Sequence, residues 1–158
     1  MRAIAVFVSL AASQAAALSC LPTDVATSYR QADAAEEEFV IALGRFSFDA
    51  MALKPLPPAN DTPPSREVTA RFTGGLFTGR NFSFETEVDV TIEALCHGPW
   101  CASMVPEVES LAFIERQGDT YALTISPCGG RLFSEPAQAQ LDQIVACHSG
   151  GSCPSAFD

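Results

Sequence analysis

Six cysteines and two histidines carry most of the chemistry open to this chain, and four of them form two repeated dipeptides, Cys96-His97 and Cys147-His148. Thiolate and imidazole are the ligands of tetrahedral zinc, so two such pairs would amount to a full ligand set. No CxxC spacing accompanies them, however. Neither pair has the CxxCH order that attaches haem, in which the second cysteine directly precedes the histidine. Trp100-Cys101 begins like a thioredoxin-type dithiol, but Met104 stands where the second thiol is needed. No serine sits in a nucleophile-type turn, and both histidines adjoin cysteines expected to be oxidised. Glu36, Glu37 and Glu38 are consecutive, so they splay around a helix end as a solvated face and do not converge as an acid–base pair. The expectation is a protein without a catalytic residue, a metal or a cofactor.

What the cysteines do depends on where the chain goes. It opens with Arg2, an apolar run from Ala3 to Ala12 and then Ala15-Ala16-Ala17. That is the order of a secretory signal peptide with an A-x-A cleavage site. The apolar run is shorter than the ~20 residues a membrane span needs. Lipid attachment at Cys20 would call for leucine three positions earlier, where Ala17 stands. Residues 1–17 are therefore read as the signal and 18–158 as one domain, secreted or periplasmic and monomeric. The sequons at Asn60 and Asn81 are expected to be unmodified, because richness in alanine and arginine in place of lysine look bacterial.

In an oxidising compartment an even number of cysteines argues for three disulfides. Six cysteines allow fifteen connectivities. Spacing favours Cys96 with Cys101, Cys147 with Cys153, and the distant pair Cys20 with Cys128. Cleavage after Ala17 removes Arg2, leaving eight basic residues against nineteen acidic ones. Such an excess repels phosphate backbones and excludes nucleic acid as a partner. It suits solubility, or attraction to a basic protein.

The elements that must hold these residues follow from periodicity. Val88, Val90 and Ile92 alternate with Glu87, Asp89, Thr91 and Glu93, the pattern of a strand with one dry face. We read this as the central strand of an antiparallel sheet, running into a Gly98-Pro99 turn closed by Cys96 and Cys101. Trp100 beside that clasp is either cover for a barrel end or an exposed anchor for a partner. Upstream, the segment after Pro22 suits a short surface helix capped by Thr23 or Asp24, lying over one end of a barrel. Glu38 to Met51 reads as a first strand kinked at Gly44, and Arg66 to Thr73 as a second. Five prolines in Lys54–Ser65 make a stiff loop between them, and Gly74-Gly75 with Gly79 a turn. Ser110–Glu115 and Thr120–Ser126 flank a short glycine loop as a hairpin. Residues 136–148 form a helix with proline at its start and Gly150-Gly151 past its end. Five strands with helices at the ends fit a mainly β fold, a small OB-type barrel stapled by three disulfides.

At this point the opening Leu18-Ser19-Cys20-Leu21-Pro22, with Tyr29 and Ala32-Asp33 before a long apolar strand, resembles netrin-like domains, in particular the tissue inhibitors of metalloproteinases. Those proteins begin Cys-x-Cys-x-Pro. The strand Tyr121-Ala122-Leu123-Thr124-Ile125 ahead of Cys128 is similar to the family strand whose cysteine pairs with the second N-terminal one, which independently favours Cys20 with Cys128. The resemblance implies an OB-type barrel and a protein partner such as a metalloprotease. It implies further that Leu18 would offer its amine to the target's zinc and Ser19 its side chain to the specificity pocket. Leu18 replaces the first family cysteine, so the disulfide that preorganises chelation is missing.

Overall fold

The structure is a computed structural model, and it describes residues 19–21, 23–55, 57 and 62–157. The expected signal peptide, Leu18 and Asn60 lie outside the described residues. In chain order the elements are α1 (Val25–Asp33), β1 (Glu38–Ser47), β2 (Ser65–Leu76), β3 (Phe84–His97), β4 (Trp100–Cys101), β5 (Ser110–Gln117), β6 (Thr120–Ile125), β7 (Leu132–Ser134) and α2 (Gln138–His148).

Closure depends on β1, which has two partners. It pairs with β5 over Glu38–Gly44 and with β2 over Ala42–Ser47, so the order β1-β2-β3-β6-β5 returns to β1 as a five-stranded OB-type barrel. A ring of five strands cannot alternate direction all the way round. One neighbouring pair must run parallel, and it is β3 with β6, from Thr91 opposite Ala122 to Ala94 opposite Ile125. The expectation of a wholly antiparallel sheet is corrected on that ground.

Gly44 sits at the handover between the two partners, directly opposite Gly74. A Cβ at Gly44 would run into the Thr73 carbonyl and come within 2.7 Å of the Gly74 Cα. Two facing glycines let the strands pass this closely. Gly74-Gly75 therefore belong to the interior of β2, and the expected turn begins only after Leu76, where the Thr78 N–H donates to the Asn81 carbonyl at 2.9 Å. β1 also ends earlier than expected, at Ser47. Beyond it Asp49 turns the chain, accepting from the Met51 N–H at 2.9 Å. The short β7, which the sequence reading did not anticipate, pairs with β5 from Ser110 to Ala112.

The alternation in β3 has the anticipated sense: Val90, Ile92 and Ala94 point into the barrel and are fully buried, while Glu87 and Asp89 are exposed. They meet Phe46, Phe72, Ile114 and Leu123 in the main core. A second core lies outside the barrel. Leu111 and Phe113, on the other face of β5, are covered by Ile144 of α2 and by Val25 and Ala32 of α1. β5 is consequently buried on both faces from Ser110 to Ile114. Helix α1 thus covers the side wall, not an end, because the apolar outer face of β5 must be shielded from water.

The three disulfides join Cys20 to Cys128, Cys96 to Cys101 and Cys147 to Cys153, the pairing that spacing favoured. Helix α1 is capped by Asp24, whose carboxylate accepts from the Thr27 N–H at 2.8 Å and from the Ala156 N–H. One side chain therefore starts the helix and ties down the C-terminal tail. Burial alone would raise its pKa, but these backbone donors, with the Thr27 and Ser155 hydroxyls, outweigh it and hold the carboxyl at about 2 against an ordinary 3.8. A depressed pKa means stability that is present above the unfolded value and is lost as pH falls from about 4 toward 2. Asp24→Ala should cost about 1 kcal/mol at neutral pH, a cap-sized effect tempered by solvent screening. Urea midpoints near neutral pH and again in strong acid would check it, with the gap between variant and parent closing in acid.

Candidate functional site

Among the described residues, those singled out in the sequence do not converge. Ser19 is exposed beside the bridged Cys20, and Trp100 is half-buried on β4 opposite His97. His97 is exposed next to the Cys96–Cys101 bridge, and all six cysteines are oxidised, so none offers a thiolate. Among the described residues no cluster of three or more metal-ligating side chains occurs.

A groove of about 580 Å³ opens instead where four elements meet. Its walls come from α1 (Tyr29, Ala32, Asp33), the start of β1 (Phe39, Val40, Ile41), the end of β2 with its following turn (Leu76 to Gly79) and the last residue of α2, His148. Each wall has a local cause. Tyr29 and Ala32 share one face of α1 at helical spacing, with Asp33 beside them at the solvent edge. Phe77 extends the β1–β2 ladder by one step, its N–H donating to the Ile41 carbonyl at 2.8 Å, before the chain turns away.

His148 is held from three directions. Its Nδ1 lies 3.0 Å from the Tyr29 hydroxyl, and Phe77 meets its ring edge-on with centroids 5.2 Å apart. The adjoining Cys147–Cys153 bridge anchors the helix end that carries it. Burial, and then the negative charge of Asp33, push the Tyr29 phenol up. The Tyr29 hydroxyl and Nδ1 share that hydrogen bond, and Nε2 faces Gly79. Gly79 has φ +88°, and a Cβ there would stand 3.0 Å from Nε2. Glycine serves both the backbone conformation and the room for the imidazole.

The charge of the groove lining is one-sided: Asp33 and Glu37 contribute carboxylates, and among the described residues no lysine or arginine lines it. Arg131 lies nearby but outside the lining, its guanidinium 4.1 Å from the centre of the Phe39 ring. Burial lowers its pKa, an effect countered by Glu37 and Glu115. The groove thus combines an aromatic and aliphatic floor with an acidic rim, suited to an apolar ligand that carries positive charge. Sequence reasoning missed Tyr29, Phe39, Phe77 and Glu37 as site residues, and weighed His148 only as a metal ligand or base. The Tyr29–Ala32–Asp33 grouping on one helix was the only local sign. Comparison with family models, with curated proteins and with solved structures finds no match for this chain.

Proposed function

We propose that this protein is an exported, disulfide-stabilised binding domain that holds a protein partner without turning over a substrate. The observation that carries this reading is the groove itself: a recess with an apolar floor and an acidic rim, framed by a closed barrel and a bridged helix end. Three disulfides fit an oxidising destination, secretion or the periplasm, where such bonds persist. No helix among the described residues is long and apolar enough to cross a membrane. Reversing the charge of the exposed Asp33 with Asp33→Arg should release the partners that the wild-type protein retains in a pull-down, with melting temperature unchanged. Turnover of a hydrolase or redox substrate, lost on replacing His97 or His148, would overturn the reading.

A second reading has its own observation. The Cys20–Cys128 bridge fixes the chain start to the end of β6, and Ser19, Cys20 and Leu21 are all exposed there, Leu21 at 85%. That exposure supports the reading in which the protein inhibits a metalloprotease through Leu18 and Ser19. One residue added before Leu18 should then abolish inhibition, and inhibition indifferent to that addition would remove the mechanism.

A further inference from the structure

The backbone lining the groove is as informative as its side chains. Along β1, alternate residues direct their N–H and C=O groups to opposite neighbours. Ile41 uses the β2 side, because its carbonyl accepts from Phe77. Two residues earlier on that same edge stands Phe39, and no residue of β2 faces it: the β1–β2 register ends at Ala42 opposite Leu76, and the chain after Phe77 folds back through Thr78 and Asn81. On its other side β1 remains paired with β5 down to Glu38. Among the described residues the start of β1 therefore has one completed edge and one open edge, and the open edge forms a wall of the groove.

An open edge invites another strand. We infer that the groove is a strand-addition site, in which an extended segment of a partner protein pairs with β1 at Phe39 and continues the sheet where β2 turns away. The inference rests on the reading of this protein as a binding domain and identifies its ligand. In this mode main-chain hydrogen bonds supply affinity, while alternate side chains are read by the flanking surfaces. Those surfaces differ here. Val40 and Leu76 belong to the barrel side, and Asp33 with Glu37 line the rim, so the favoured segment alternates apolar with basic residues. A second copy of this chain is disfavoured by charge, since a molecule with net charge −10 has few basic residues to offer an acidic rim.

The test uses the oxidised protein lacking residues 1–17, labelled with ¹⁵N, and an acetylated, amidated octapeptide of alternating lysine and valine. Saturable shifts should centre on the amides of Glu37, Phe39 and Ile41. Methylating the peptide nitrogens of all lysines, or of all valines, should weaken binding at least about tenfold in one case and leave it nearly unchanged in the other, because only alternate amides face β1. The double variant Asp33→Asn with Glu37→Gln should bind about tenfold more weakly at low salt and lose most of its salt dependence. Both methylated peptides binding like the parent, or a dimer that forms without peptide and shifts Phe39, would overturn the inference. Shifts confined to Trp100 or to Phe84–Val90 would overturn it too, while leaving the binding-domain reading intact. That reading fails separately, through turnover.

Discussion

Replacing Cys20 and Cys128 together with serine should lower stability by about 2–5 kcal/mol, the largest loss expected from removing any of the three bridges. The bond spans 108 positions of sequence, against 5 and 6 for the other two. In the chain-entropy model a loop of that length restricts the unfolded chain by about 4–5 kcal/mol, and the short clasps by roughly half as much. Domains of this size are stable by only about 5–15 kcal/mol. Loss of the long bridge should therefore lower the melting temperature by on the order of 10 °C. Calorimetry of the three double-serine variants side by side checks the ranking. An equal or smaller fall for Cys20 with Cys128 than for Cys96 with Cys101 would mean that the unfolded chain is already restrained by other means.

Phe72→Ala should cost about 3–5 kcal/mol, the range for truncating a fully enclosed phenylalanine. Phe72 is completely buried, its ring centre 5.0 Å from that of Phe46. The same ring would lie within 2.8 Å of a Cβ at Gly44 and 3.0 Å of one at Gly74. The two glycines thus make the notch in which the ring rests, at the place where β1 passes from one partner to the other. Emptying the notch leaves a cavity walled by backbone, which cannot collapse to refill it. Phe72→Leu, which keeps most of the volume, should cost less than about 1.5 kcal/mol. Urea unfolding measures both, and an unchanged slope would show that the loss belongs to the native state. A loss below about 1 kcal/mol for Phe72→Ala would mean that neighbouring side chains refill the space.

The reach of the sequence differed between fold and site for identifiable reasons. Alternation in Glu87–Glu93, the Gly118 hairpin and the even cysteine count are local signals, each produced by a few neighbouring residues. They sufficed for the barrel class, the main strands and the disulfide pairing. Gly74-Gly75 misled because two adjacent glycines look the same in a turn and in a strand that must pass close to another backbone. Only the register with Gly44 separates the two cases. Likewise, Leu111 and Phe113 could be read as part of a strand, but not as its outer face beneath two helices. That depends on which way the barrel closes.

The groove was hidden more completely, because its walls come from residues 29, 39, 77 and 148, which no spacing relates. Those positions become neighbours only when β1 takes both β2 and β5 as partners, the two helices settle on the side wall, and β2 stops opposite Ala42, before it reaches Phe39. From its own residues the chain determined an acidic, disulfide-bridged, mainly β domain, since composition and short-range periodicity need no partner to act. The tertiary structure alone decided which polar and aromatic groups share a recess and which backbone edge is left open, because both follow from how distant strands run out of pairing.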